Sequence, residues 1–301
     1  MLPKNLCFFR FPTTTDFSEV ERILPHVLMK PVGPLDLSSR GFMSPFGQTE
    51  KETFAHRRSG FLWLAVSVAE KILPGGVVSD HVATKVAEIE RNEGRSPGGK
   101  ERKRIKDDVL HELLPRALVK TSRHDAFIDL DHGYIAVLTA SRKSAENFVS
   151  DVRGLLGGFP AVPVNAGVAP RTILTSWISG DEMPEGLTLG EKCELKDPAE
   201  GGASVRCQAQ ELRSDEIEQH LEVGKQVTKL ELTYADNLRF VLGDDLTVRG
   251  IKFLDGALEQ LDISADDGVR AELDAMFCVA SAEVRSLFLL LEQAMEIASA
   301  D

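Results

Sequence analysis

The stretch GGKERKRIKDDVLHELLPRALVKTSR, residues 98–123, carries two patterns at once, one apolar and one basic. Ile105, Val109 and Leu113 recur at every fourth position, so the spacing predicts a helix with one buried arc. The helix must stop before Pro115, because the residue preceding a proline is pushed out of the α region. Lys100, Lys103 and Arg104 fall on the side opposite the apolar arc. Arg102 and Lys106 project nearer to it, and their charged heads must snorkel outward. Beyond the proline the chain reads as extended, which puts Arg116 and Lys120 on one face and Arg123 on the other.

Upstream, Ser79 reads as an N-cap. Val82, Val86 and Ile89 continue a helix from it to about Asn92. The turn Gly94-Arg95-Ser96-Pro97-Gly98-Gly99 then joins two helices into a basic hairpin. Both flanks of this hairpin are rich in strands. On the N-terminal side, residues 5–11 and 60–70 read as apolar strands, 52–58 as a further strand, and Asp16 as the cap of a helix reaching about Met29. Residues 35–50 read as loop, and Pro74-Gly75-Gly76 as a stop. On the C-terminal side, Asp131-His132-Gly133 reads as a hairpin turn, and Ser141 caps a helix that ends at Gly157-Gly158. The run 173–178 (ILTSWI) makes one helical turn or two. Two strands follow within 187–207, and Ser214 opens a short helix closed by Gly224. An antiparallel meander covers 227–234, 237–242 and 246–253. A last helix starts near Ser281, with Val284, Leu287, Phe288, Leu291, Ala294, Met295 and Ala298 as an apolar stripe. That stripe serves either the subunit's own core or a contact between subunits.

The fold class is therefore α+β, with mixed antiparallel sheets and an inserted helical hairpin. Three regions are expected: a central α/β region over 1–75 and 125–180, a basic helical tip over 76–124, and an acidic α+β base over 181–301. The chain has 301 residues, 43% of them hydrophobic and 27% charged, which is ordinary for a globular protein. No apolar run approaches the roughly 18 residues of a membrane span. The opening MLPKNLCFFRF lacks the apolar block of a signal peptide, and Cys7, Cys193, Cys207 and Cys278 are too scattered for a disulfide framework. A reducing cytoplasm is the expected location.

The net charge of −12 argues against a nucleic-acid partner, but its distribution argues the other way. Residues 85–123 carry +4, whereas residues 181–301 carry −16. A local basic surface sits within an otherwise anionic chain. Such a surface could engage duplex phosphates, and with no base-reading module its binding would be independent of sequence. Phe127 is the only aromatic nearby, which disfavours a single-strand stacking platform.

Catalytic signatures are missing. There is no phosphate-cradling loop, nucleophile elbow or HExxH, since His111-Glu112 is followed by Leu, Leu and Pro. No catalytic residue, metal site or cofactor is expected. Asp129 and Asp131 share a strand face at a spacing that suits a hard cation, although turn chemistry also explains them. Asp244-Asp245 and Asp266-Asp267 read as turn and helix-start residues.

At KDDVLHELLPRA (106–117), followed by FIDL (127–130), the chain resembles the bacterial recombination-associated RdgC family. Further matching runs keep order and spacing along its length: KNL at 4–6, EKILP at 70–74, FPAVPV at 159–164, LTSWI at 174–178, SDEIEQHLEVGKQVTKLEL at 214–232 and RFVLGDDLTVRGIKF at 239–253. The resemblance implies a non-enzymatic protein that binds double-stranded DNA without sequence preference. It implies a horseshoe-shaped subunit that closes with a second copy into a ring-shaped homodimer around the duplex. It further implies a nucleoid-associated protein that restrains the RecA recombinase. By position, Lys225 matches a basic residue of the hole, with Lys229 in the same run, and Gln210 matches a polar residue nearby. Arg116 and Leu118 correspond to a projecting finger. The chain departs from the pattern in two places. Leu118 stands where an aromatic can occur, and Ala209 where a basic residue can, so the Lys100–Lys106 cluster is expected to compensate. Two other functions remain open on residues alone: direct contact with the recombinase through the acidic C-terminal part, and a metal-dependent nuclease using Asp129 and Asp131.

Overall fold

In the computed structural model, residues 2–47, 50, 52–199, 201–261 and 268–300 are described. Asp266-Asp267 lie outside them. In chain order the elements are β1 (Asn5–Arg10), α1 (Val20–Ile23), β2 (Ser38–Met43), β3 (His56–Arg58), β4 (Phe61–Ile72), α2 (Gly75–Glu93), α3 (Gly99–Leu113), β5 (Leu118–Asp129), β6 (Tyr134–Val137) and α4 (Arg142–Leu156). They continue with β7 (Val162–Pro163), α5 (Pro170–Ser179), β8 (Leu187–Lys196), β9 (Ser204–Cys207), α6 (Asp215–Glu222), β10 (Gln226–Tyr234), β11 (Leu238–Gly243), β12 (Val248–Phe253), α7 (Asp255–Leu258) and α8 (Val269–Ala294). The class is α+β, and β1 with β6, β7 and β12, β2 and β3 with β4, β5 with β6, β8 with β9 and β10, and β11 with β10 and β12 all pair antiparallel.

The chain divides into two units. One comprises Met1–Leu24, Ser44–Leu64 and His124–Asp301; the other comprises Pro25–Met43 and Ala65–Arg123. In the first unit, neighbouring strands run from β4 through β5, β6, β1, β12, β11, β10 and β8 to β9. β1 is the junction: Asn5 and Leu6 pair with β12, while Cys7 to Arg10 pair with β6. Many of their buried side chains belong to one large apolar cluster, and α8 supplies much of it. Phe277, Ala280, Val284, Leu287, Phe288 and Leu291 recur every three or four residues and are all buried. Phe277 stacks on Trp63 with ring centroids 5.2 Å apart, and Phe288 on Tyr134 at 4.0 Å. Most of the C-terminal stripe is thus intramolecular core. On α5, Leu174, Trp177 and Ile178 face inward, and the left-handed Gly180 ends the helix.

In the second unit, β2 lies beside β4 and β4 beside β5. The α2–α3 hairpin connects these last two strands and has its own small core of Val78, Ile105 and Val109, flanked by Leu73, Val82, Val86, Ile89, Leu110 and Leu113.

Several elements differ from the sequence expectation, each for a local reason. The helix expected from Asp16 to Met29 shrinks to α1 and a 3-10 turn over Leu24–His26. Pro25 lacks a donor and cannot continue the helix, and Asp16 instead accepts the amide of Ser18 at 2.8 Å. Part of the expected loop 35–50 is strand β2, because it pairs with β4 from Ser38↔Glu70 to Met43↔Ala65. Gly41 permits this: a Cβ there would lie 2.5 Å from the Met29 amide nitrogen. The strand expected over 52–58 is confined to β3. Helix α2 starts at Gly75, so Ser79 is no cap; its hydroxyl donates to the Gly75 carbonyl at 2.9 Å. Helix α8 starts twelve residues before Ser281, whose hydroxyl donates to Cys278 O at 3.2 Å inside the helix.

Candidate nucleic-acid interface

The basic residues of the second unit are positioned by the α2–α3 hairpin. Gly94, in the left-handed conformation at φ 63°, ends α2 and turns the chain. Gly98 precedes α3, and burial of Ile105 and Val109 fixes how that helix is rolled. Lys100, Lys103, Arg104 and Lys106 are therefore exposed. Lys100, Lys103 and Lys106 form no ion pair among the described residues. Arg104 lies close enough to Glu101 to help hold its carboxyl below the usual range, but the main cause there is the hydrogen bond from Arg95.

Other cations of the hairpin are already engaged. Arg95 forks onto Glu101 at 2.6 and 2.8 Å and reaches Glu93 at 2.7 Å, and Lys85 binds Glu112 at 2.6 Å. Arg102 turns back to cap the connecting turn, donating to Pro97 O at 3.1 Å and Ser96 Oγ at 3.2 Å. It is exposed, but these bonds engage its guanidinium within the hairpin. Arg91, near the end of α2, is exposed and has no ion pair among the described residues. Sequence reading passed over it, because Glu88, Glu90 and Glu93 mask it in any charge count.

Next comes the segment that leads into β5. Arg116 sits on a 3-10 turn over Leu114–Arg116, not on a strand, so strand alternation does not relate it to Lys120. β5 begins at Leu118, and within it Lys120 and Arg123 stand on opposite faces, three residues apart. Leu118 is 76% exposed and Val119 50%, an unusual exposure for two adjacent apolar residues at the start of a strand.

In the first unit the three remaining candidates are close to internal partners. Gln210 donates to Glu216 Oε2 at 2.7 Å. Lys225 follows the left-handed Gly224, and its Nζ lies 3.3 Å from His220 Nδ1. Lys229, on β10, binds Glu194 Oε2 at 3.0 Å. Arg206 on β9 binds the same oxygen at 2.9 Å. Burial pushes the Glu194 carboxyl up, but the hydrogen bonds from Lys229 and Arg206 outweigh it and hold the group below its usual range. Glu194 and its two cations together carry one net positive charge.

The paired aspartates take a different form. Asp129 is fully buried. Arg285 donates to it twice, from Nε at 2.7 Å and Nη2 at 3.0 Å. The amides of Asp131 and His132 each donate to it at 3.1 Å. Asp131 stands on the hairpin turn and meets Arg285 at 3.3 Å. These carboxylates are a structural tie between the β5–β6 turn and α8. Asp244 binds Arg171 at 2.6 Å and Asp245 binds Arg249 at 2.5 Å. Among the described residues no helix is long and apolar enough to cross a membrane.

Residues 1–298 match the family model described as "Putative exonuclease, RdgC". Over 301 residues, covering the whole of both chains, the sequence is 64% identical to the Recombination-associated protein RdgC of Stenotrophomonas maltophilia (strain R551-3). It is 65% identical, over the same full span, to the protein of that name from Xanthomonas campestris pv. campestris (strain B100).

Proposed function

The chain belongs to the RdgC family of recombination-associated proteins, and from that premise we propose that it binds double-stranded DNA without sequence preference, as a homodimer closed into a ring. By occupying DNA in the nucleoid it would limit the access of the RecA recombinase. The observation that carries this reading is the exposed set Lys100, Lys103, Arg104 and Lys106, none of them in an ion pair among the described residues, in a hairpin whose Lys85, Arg95 and Arg102 are tied to carboxylates or carbonyls. Lys100, in the first turn of α3, opposes the positive end of the helix dipole, so local stability does not account for it. Polyanion binding does: charges and dipole add toward a phosphate chain, where each neutralised phosphate releases a counterion. Nothing in α3 presents a module for reading base edges, which favours backbone contacts and no sequence preference. The exposed Leu118 and Val119 suit a tip that meets a second subunit.

We read the protein as acting without catalysis. Asp129, the best candidate for a hydrolytic metal ligand, has both oxygens taken by Arg285. The test is duplex binding measured across a salt series. Affinity should fall steeply, with a log–log slope of roughly −0.9 for each phosphate contacted. A flat response overturns DNA binding, and magnesium-dependent cleavage abolished by Asp129→Asn overturns the non-enzymatic reading. Recombinase capture without DNA would replace occlusion by direct contact.

A further inference from the structure

Cys193 and Cys207 lie fourteen residues apart in sequence and face each other across β8 and β9 as direct register partners. Residues opposite each other in an antiparallel pair project to the same face. Here that face is the core, and both side chains are buried. Four pairs further along, the Asp197 amide donates to Ala203 O at 3.0 Å, which marks a hydrogen-bonded pair of the same parity. The register is continuous between them, so Cys193 and Cys207 also occupy a hydrogen-bonded position, with Cα atoms about 5.5 Å apart. That lies within the roughly 4.4–6.8 Å Cα range of disulfides, and a small shift of the short strand β9 brings the Cβ atoms to the roughly 3.5–4.5 Å the bond requires. We propose that Cys193 and Cys207 are a disulfide-forming pair, reduced at rest and closed reversibly by exchange with a low-molecular-weight disulfide.

Burial, and after it the neighbouring Cys207, pushes the Cys193 thiol up to about 12. Almost none of it is ionised at neutral pH, so the pair answers a sustained change of redox poise and not a brief pulse of oxidant. Access comes through the edge. β9 is a four-residue strand, Cys207 is its last residue, and fraying there opens the sulfur to solvent. The Cys207 thiolate attacks one sulfur of the small disulfide, giving a mixed disulfide and one small thiolate. The Cys193 thiolate then attacks the Cys207 sulfur and expels the second small thiolate. The protein loses two thiol protons and two electrons, and the small disulfide becomes two thiols. Closure clamps β9 to β8 and with it the Arg206–Glu194–Lys229 cluster.

The experiment equilibrates the native full chain with mixtures of oxidised and reduced glutathione, quenches with N-ethylmaleimide and maps the peptides by mass. The expected result is loss of two thiols per chain. One linked peptide pair should contain Cys193 and Cys207, with reversal by dithiothreitol and a higher melting temperature in the oxidised form. Cys193→Ala and Cys207→Ala should each abolish the linked pair. The proposal is overturned if the pair stays reduced at the most oxidising mixture. It also fails if linkage appears only after urea unfolding, or if the bond formed joins Cys7 or Cys278 or two chains. The wild-type map decides the matter even where a variant folds poorly.

Discussion

Two buried acidic residues, Asp129 and Glu283, sit in opposite electrostatic situations. Asp129 is compensated by Arg285 and two amides, whereas Glu283 is buried with only the Asn237 side chain donating to it at 2.9 Å. Truncating Arg285 to Ala strands a buried carboxylate and should cost about 3–5 kcal/mol in urea unfolding. Adding Asp129→Asn to Arg285→Ala should recover part of that loss; a purely additive pair would show that the two residues do not act as one unit. Glu283 has its pKa raised, first by burial, with Asn237 pulling the other way. A raised folded value means the native state holds the proton more tightly than the unfolded chain. Stability contributed by the protonated form is therefore present below the unfolded pKa and is lost as pH rises through the folded one. Glu283→Gln keeps the acceptor for Asn237 and removes the charge, so it should raise the melting temperature at pH 7 by about 2 °C per kcal/mol gained and change little at pH 4. An equal shift at both pH values would contradict this assignment.

Helix α3 is the element on which the DNA reading can be separated from general electrostatics. Replacing Lys100, Lys103 and Arg104 together by Ala leaves Ile105 and Val109 in place and removes exposed charge only. The salt slope of duplex binding should fall by about 2–3, at roughly 0.9 per contacted phosphate, while the melting temperature stays close to wild type. An unchanged slope would move the contacts elsewhere. The apolar period made α3 legible in the sequence, as it did most of α8, and caps made the ends of α4 legible: Ser141 accepts the Ser144 amide, and Gly157 takes the left-handed conformation. Misplaced starts share one cause. Ser79 and Ser281 use their hydroxyls on carbonyls of the preceding turn, and a serine bonded in this way looks in sequence like a cap. β2 was hidden for another reason, since Gly41 and the serines around it have poor strand propensity and only pairing with β4 makes them a strand. Of the candidate site, the charge run was readable from composition. The engagement of Arg102 by Pro97 and of Lys229 by Glu194 was not, because both depend on partners that only turn geometry or strand register brings near.

For the whole molecule, a closed dimeric ring predicts retention by topology as well as by charge. On covalently closed circular duplex the protein should survive a wash at moderate salt that strips it from short linear duplex of the same sequence. Linearising the circle should abolish the difference, and equal loss from both forms would leave an open clamp or a simple surface contact. A different consequence follows from β1, whose first two residues pair with β12 and whose next four pair with β6. Leu6 meets Val248, a partner the ribosome delivers about 240 residues later. Until then β1 has a free flank at Asn5 and Leu6, and Phe8 waits longer still for Phe288, whose ring it meets at 5.1 Å. The emerging polypeptide is thus committed to late closure, and chaperone protection of this early segment during synthesis is a need written into the strand order.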